Sequence, residues 1–400
     1  MTLQKNPTSN ASGFCPALIV ESPHAWNEVW QRPHHLVSRF SQWAETLYIS
    51  PRYLRDAIRS RLSKGGQLSG NRSKGLQIAQ PMQFHGERFG PILRWNQRRV
   101  VGACEEFVRS PARAAGQGVV LWIYDPHKHY LAAALADAFV VYDIMDEYSA
   151  FPWAPPGIKE EERQLLKRAD LVIAGTWTLY DSKKKQTSAP CHAYPSAVEF
   201  ARFARPTQHP PAPSELVPLK MQYKALLGYI GMVDVRLDTE SLATVMSRHP
   251  EWGLALIGPV RGEFSALKRL PNCHFLGPKP YTELPPLLWS LDVALVPFVD
   301  SELTRHVNPT KVLEYFAAGA PVVARALPEM VRCYGETAIL YSNARDLENK
   351  LIETLKRGAA DPRIAIGVEK ARAYSWDTVA SEIWGKVNEG LAKKISKKAN

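Results

Sequence analysis

The sequence predicts an α/β protein built from two Rossmann-like domains, each organised around a parallel sheet. Three observations carry this expectation. Short apolar runs alternate with amphipathic stretches along residues 1–205. That is the rhythm of strands covered on both faces by crossover helices. A proline-rich segment at 206–222 interrupts the rhythm. The same rhythm restarts over 223–375, and 376–400 adds a closing helix with a basic tail.

The elements follow in order. ALIV at 17–20 is a first strand, and QRPHHLVSRFSQWA behind it is a helix with Pro33 near its start, where a missing N–H costs nothing. TLYIS at 46–50 is a second strand, and 51–75 is loop, rich in basic residues with a Gly-Gly pair. GVVLWIYDP (118–126) and FVVYDIMDEYSAF (139–151) are buried strands that run into polar loops. EERQLLKRAD, LVIAG and TWTLYDSKKK then read as helix, strand and helix. PTQHPPAPSELVPLK is a linker, extended and exposed because proline disfavours regular structure. ALLGYIG (225–231), LALIGP (254–259), HFLG (274–277) and DVALVPF (292–298) are strands of the second domain. DTESLATVMSRHP and YTELPPLLWS are its intervening helices. In such sheets ligands sit at the carboxyl ends of strands. That places His127, Asp146 and Glu147 near any site in the first domain.

Composition narrows the function classes. Of 400 residues, 45% are hydrophobic, which is normal for a globular chain with a real core. No apolar run is long enough to span a bilayer. The first twenty residues lack the basic start and apolar stretch of a signal peptide. Five cysteines (Cys15, Cys104, Cys191, Cys273 and Cys333) are odd in number and far apart. They form neither a disulfide framework nor a zinc motif, and fit a reduced, cytoplasmic setting. No GxGxxG follows a strand and no Walker motif occurs, which argues against nicotinamide and P-loop chemistry.

The net charge is +11, and residues 1–110 hold 15 Lys plus Arg against 7 Asp plus Glu. Arg52, Arg55, Arg59, Arg61, Lys64, Arg72 and Lys74 form a loose belt, and Arg94, Arg98 and Arg99 a cluster beside Trp95. The belt is either a solvated face or a surface for an anionic membrane or lipid diphosphate. No nucleic-acid motif accompanies it, so no nucleic-acid partner is expected. The terminal KKISKK reads as a frayed tail.

The most telling stretch is HVNPTKVLEYFAAGAPVVA, 306–324. Asn308 is a favourable N-cap residue. Pro309 suits the first helical position, and Gly319 suits the left-handed cap at the far end. Thr310, Lys311 and Glu314 share one face, while Leu313, Phe316 and Ala317 cover the opposite one. A helix N-terminus with a hydroxyl, an ammonium and a carboxylate has the parts to hold a diphosphate and, one turn further in, a sugar hydroxyl pair. An ordinary capped helix with a surface Glu is the plainer alternative.

In order and spacing, LGYIGMVDVRLD, LALIGPV, NCHFLGPKPYTELPPLL, DVALVPF and HVNPTKVLEYFAAGAPVVA resemble the donor domain of GT-B glycosyltransferases. QRPHHL, LWIYDP, VVYDIMDEYSAF and ADLVIAGTWTLY extend the likeness through the first domain. The chain resembles the retaining, group 1 (family 4) enzymes of the teichuronic-acid and cell-surface polysaccharide type. The resemblance implies two parallel sheets facing a central cleft that closes about the proline-rich hinge. It implies hexosyl transfer, with retention, from a nucleotide diphosphate sugar to a glycan or lipid-linked acceptor. Glu314 then binds the ribose hydroxyls. Arg236 falls where relatives have a Lys on the diphosphate, and Gly231 lets the backbone approach closely. Asn308, Pro309, Thr310 and Lys311 complete the donor site. An earlier Glu of such enzymes is His306 here, with Glu302 nearby. His127 is implied near the donor sugar. Asp146 and Glu147 bind acceptor hydroxyls, act as base, or merely cap a helix. Arg32 meets a phosphate, while His34 and His35 are exposed. No cofactor or metal is expected, because such enzymes use cations and helix dipoles. The setting implied is cytoplasmic, with peripheral binding at the inner membrane face left open. A non-catalytic GT-B protein that binds a sugar nucleotide or glycan, and a nucleotide-sugar 2-epimerase, are the other readings.

Overall fold

The computed structural model describes residues 16–27, 30–50, 52–53, 75–85, 89–110, 118–152, 154–208 and 210–399. The chain forms two compact units, one of Met1–Tyr194 with Asp377–Asn400 and one of Pro195–Trp376.

Unit 1 is built on β1 (Ala17–Glu21), β2 (Glu45–Ile49), β4 (Leu76–Ala79), β6 (Val119–Ile123), β7 (Phe139–Ile144), β8 (Leu171–Ala174) and β9 (Cys191–Ala193). They form one seven-stranded sheet in the order β4-β2-β1-β6-β7-β8-β9. Its pairings are parallel, with Leu18 opposite both Thr46 and Val120. A two-stranded sheet pairs β3 (Arg52–Tyr53) with β5 (Met82–Gln83). The central strands are buried along their length, which is why their sequences are continuous apolar runs rather than alternating ones.

Four helices of unit 1 matter below. Helix α1 (Arg32–Phe40) starts at a capping box in which the Gln31 N–H donates to His34 Nδ1 at 3.1 Å. Helix α2 is Gly90–Val108. Helix α3 (Ile158–Arg168) has Glu160 and Glu161 in its first turn and Lys167 and Arg168 in its last, matching the helix dipole. Helix α4 (Trp177–Lys183) is capped by Thr176, whose Oγ1 accepts from the Leu179 N–H at 3.1 Å.

Unit 2 carries β10 (Ala225–Ile230), β11 (Trp252–Ile257), β12 (Cys273–Gly277), β13 (Val293–Val296), β14 (Val322–Arg325) and β15 (Ile339–Tyr341). Their order is β12-β11-β10-β13-β14-β15. Around them lie α5 (Thr239–Arg248), α6 (Thr310–Ala317), α7 (Pro328–Tyr334) and α8 (Pro362–Ala373). As the sequence predicts, Asp238 opens α5, accepting from the Ser241 N–H at 3.0 Å.

Two segments differ from expectation. Residues 206–222, expected as an interdomain linker, lie within unit 2. Val217–Gln222 is helical, and Leu216, Leu219 and Tyr223 enter the unit 2 core. Apolar side chains at that spacing outweigh the prolines. The closing helix α9 (Trp376–Ala399) runs through KKISKK. Lys394 Nζ donates to Asp170 Oδ2 at 2.7 Å and to the Ala138 carbonyl at 2.8 Å. Lys398 pairs with Asp137. The tail is therefore a docked helix end, with cations placed where the dipole favours them. Its apolar side buries Ile383, Trp384, Val387 and Leu391, with Trp384 5.1 Å from the Phe40 ring.

No helix among the described residues is long and apolar enough to cross a membrane. Of the basic belt, Arg55, Arg59, Arg61, Lys64, Arg72 and Lys74 lie outside the described residues, and Arg52 is described only as strand backbone.

Candidate functional site

In unit 2 the strands β10 and β13 deliver their carboxyl ends to the amino end of α6. Tyr315 joins helix to strand. Its buried hydroxyl accepts from the Ile230 N–H at 2.8 Å and donates to the Ile230 carbonyl at 3.3 Å. On the packed face Phe316 lies so close to Gly367 of α8 that a β-carbon there would sit 2.8 Å from its ring. These contacts fix where the first turn of α6 points.

That first turn is open. Pro309 occupies the N-cap position and no side chain caps it. The expected cap, Asn308, is engaged elsewhere. Its Oδ1 accepts from the Tyr334 hydroxyl at 2.8 Å and its Nδ2 approaches Glu329 and Cys333. The Asn308 carbonyl accepts from Ser196 at 2.8 Å. Burial decides this: an interior amide must find polar partners, and α7 supplies them. The N–H groups of the first turn thus lack a side-chain acceptor. Thr310 is half-buried beside them. Gly319 has a φ of 68° after the helix, as predicted.

Lys311 lies over the end of β10. Its Nζ donates to the Tyr229 hydroxyl at 2.8 Å and sits 4.1 Å from the Tyr229 ring centre and 5.3 Å from that of Phe298. Gly231, with a φ of 140°, makes the room: a β-carbon there would collide with the Lys311 ammonium. Burial, then repulsion by Arg236, pushes Lys311 down to about 7, with Glu314 and Asp234 opposing. Arg236 is held by Asp234, with Nε at 2.9 Å and Nη2 at 2.8 Å from its carboxylate. Glu314, one turn in from the helix start, faces the Tyr281 hydroxyl at 3.5 Å. Burial pushes its carboxyl up to about 7, while Lys311 and Tyr281 lower it and Glu199 raises it. The structure therefore brings Gly231, Arg236, Lys311 and Glu314 to one place. Asp234, Tyr229 and Tyr281 belong to the same place and escaped sequence reasoning. Only DVR, with Asp234 two residues before Arg236, held a signal of their pairing.

His306 ends the short helix Glu302–Arg305, half-buried, and its Nδ1 is shielded from water without a hydrogen-bond partner. Glu302 is exposed at the start of that helix.

In unit 1 the expected residues are less concentrated. His127 Nδ1 is 2.9 Å from Glu161 of α3, and the His127 backbone N–H donates to Asp125 Oδ1. Asp146 is half-buried past the end of β7. Glu147 pairs with the buried Lys183 at 2.8 Å and accepts from Ser149 at 2.8 Å. Lys183 also holds Glu162 at 2.5 Å, and Glu162 accepts from Tyr142. Glu147 thus belongs to a buried charge network rather than standing ready as a base. Arg32 is buried against Asp143 at 3.0 Å and donates to the Tyr194 carbonyl at 2.7 Å. His34 and His35, expected on the surface, are 0% and 2% exposed. His34 stacks on Trp30, and its Nε2 lies 3.0 Å from the Ala25 carbonyl. Glu21 at the end of β1 escaped sequence reasoning; burial, with Asp125 adding, pushes it up to about 8.

Residues 227–357 match the family described as glycosyl transferases group 1, a span that runs from β10 past α6. Solved structures match nearly the whole chain. Sucrose-phosphate synthase of Thermosynechococcus elongatus superposes with a TM-score of 0.72 at 15% identity, covering 94% of this chain and 100% of that one. The fold is GT-B. Anabaena HepE in complex with UDP and glucose gives a TM-score of 0.66 at 14% identity, over 94% of this chain and 100% of HepE. The E. coli trehalose-6-phosphate protein bound with UDP-2-fluoro glucose gives 0.68 at 12% identity, over 93% and 98%. TuaH of Bacillus subtilis, named as a teichuronic acid biosynthesis glycosyltransferase, is 28% identical over 235 residues. That alignment takes in 55% of this GT-B chain and 58% of TuaH. The chain thus spans somewhat over half the length of this curated relative.

Proposed function

We propose that the protein is a glycosyltransferase. It moves a hexosyl group from a nucleotide diphosphate sugar to a glycan or lipid-linked acceptor in cell-surface polysaccharide synthesis. The observation that carries this reading is the open first turn of α6, with Lys311 and Arg236 beside it and Glu314 one turn in. The group 1 match over the same residues and the named role of TuaH support it.

The chemistry follows from the charges. Cleavage of the donor leaves negative charge on the outer phosphate of the diphosphate. A helix N-terminus contributes roughly 0.3 to 2 kcal/mol toward such an anion. Lys311 and Arg236 add the larger share, because preorganised cations need no reorganisation as charge develops. An arriving diphosphate draws Lys311 back to its protonated state. Glu314 accepts from the ribose hydroxyls, and Gly231 lets the phosphates approach the backbone. In unit 1, His127, oriented by Glu161, and Asp146 serve the sugar and the acceptor. Glu147 acts through the Lys183 network that holds its loop. Transfer proceeds with retention.

Incubation with radiolabelled UDP- and GDP-sugars plus membrane lipids tests the proposal. Label in a lipid or polysaccharide product supports it. Epimerised sugar nucleotide supports the 2-epimerase reading. Binding without turnover supports a non-catalytic protein, the reading that His306 in place of a Glu favours.

A further inference from the structure

The basic character of unit 1 has a focus on α2. Its first half carries Arg94, Arg98 and Arg99 and has no acidic residue before Glu105. All three arginines are exposed. This arrangement opposes the helix. The acids Glu105 and Glu106 sit in the last turn, where only Arg109, just past the helix, offsets them by pairing with Glu105 at 3.0 Å, and the first turn has no acid. A helix stabilised for its own sake places these charges the other way round. Large apolar side chains share the surface: Phe89 is 63% exposed, Trp95 39% and Phe84 37%. Phe84 and Trp95 are held in place. The Asn96 amide exchanges hydrogen bonds of 3.0 and 2.9 Å with the backbone of Phe84. Phe84 lies 4.8 Å from the Trp95 ring, and Arg99 lies 5.8 Å over that ring. On the flank, Arg94 and Arg98 line a surface cavity of about 440 Å³ with Gln97, Glu105 and Tyr130.

We propose that the first half of α2, with Phe84 and Phe89 beside it, is the surface by which unit 1 docks on a bilayer bearing anionic phosphate headgroups. The inference rests on the lipid-linked acceptor reading above, and names the face that brings the protein to that acceptor. Arginines meet phosphates as bidentate forks. Trp and Phe favour the boundary between headgroup and acyl chain. Cations alone suit any polyanion; exposed aromatics among them select a bilayer.

The test is co-sedimentation of the full chain with phosphatidylcholine vesicles, with and without phosphatidylglycerol. The wild type is expected to bind the anionic vesicles and to release as salt rises. Each basic residue near an anionic surface is worth about 1 kcal/mol, or roughly fivefold. The combined variant Arg94→Gln, Arg98→Gln, Arg99→Gln is therefore expected to bind on the order of 100-fold more weakly. Phe89→Ser with Trp95→Ser, which keeps every charge, is also expected to weaken binding. Unchanged melting temperature and UDP affinity in both variants show that the fold and the nucleotide site are intact. Absence of wild-type binding to anionic vesicles overturns the proposal, as does binding that survives both variants. Equal binding to soluble heparin, insensitive to Phe89 and Trp95, replaces the bilayer with a soluble polyanion. A failure to bind any nucleotide leaves the docking surface standing and overturns the glycosyltransferase reading alone.

Discussion

Glu314→Gln should stabilise the fold while it weakens the site, and the two effects have separate signatures. Burial raises the Glu314 carboxyl from 4.5 to about 7. A carboxyl whose folded value is raised contributes stability that is fully present below its unfolded value. That contribution is lost as pH rises through the folded value. The window is thus about 4.5 to 7. At about 1.36 kcal/mol per unit, the full shift sets a ceiling of roughly 3 kcal/mol. That shift already includes the attraction of Lys311; Glu314 is only half-buried, and solvent screening brings the expected gain for Gln above the window to about 1 kcal/mol. For a unit the size of unit 2 that is about 2 to 4 °C in melting temperature. Thermal scans of both proteins in steps from about pH 4, below the unfolded value, to about pH 8 make the comparison. The curves should coincide at the acid end, where the wild-type carboxyl is neutral, and separate above the window with Gln melting higher. Calorimetric titration with UDP and GDP should show the reverse order. Loss of a charged acceptor costs about 1.5 to 3 kcal/mol. A pH-independent offset in melting temperature, or nucleotide affinity equal to wild type, would refute the reasoning.

Other outcomes follow from the same geometry. Lys311→Met should weaken nucleoside diphosphate binding by about tenfold or more, since hydrogen bonds to charged groups are worth about 1.5 to 3 kcal/mol. Uridine and guanosine affinities should stay unchanged, which titration of both forms checks. Asn308→Ala should destabilise unit 2 by about 1 to 3 kcal/mol, because it strands the buried Tyr334 hydroxyl. Denaturant melts measure this, and an effect of a few tenths would restore Asn308 to a simple solvent-facing position. Lys394→Ala should lower the melting temperature of unit 1, because it removes the donor to Asp170 and Ala138. Deletion of a frayed tail would leave that temperature unchanged.

Much of the fold is legible because burial writes itself into composition. LWI, VVY and ALV have to lie inside, and the helices between them carry capping residues such as Asp238 and Thr176. The short edge strands Cys191–Ala193 and Ile339–Tyr341 escaped because three residues hold no period. Helix α2 escaped because its exposed aromatics blur its apolar face. At the site, Lys311, Glu314 and Gly231 were legible because local spacing sets which groups share a helix face or strand end. Asn308 was misread because an Asn before a Pro looks alike whether it caps a helix or feeds an interior network. What decides is Tyr334, 26 residues away. The ion pair of Glu147 and the docking of the tail lysines went unread for the same reason: Lys183 and Asp170 come from distant segments, and a sequence shows only neighbours along the chain.

The proposed function puts a nucleoside diphosphate on the first turn of α6. A crystal structure of the protein with UDP or GDP tests it most directly. Phosphate oxygens are expected within hydrogen-bond distance of Lys311 Nζ and of the first-turn N–H groups, with the ribose hydroxyls on Glu314. A nucleotide bound elsewhere, with Lys311 still on Tyr229 and Glu314 facing only Tyr281, would contradict it.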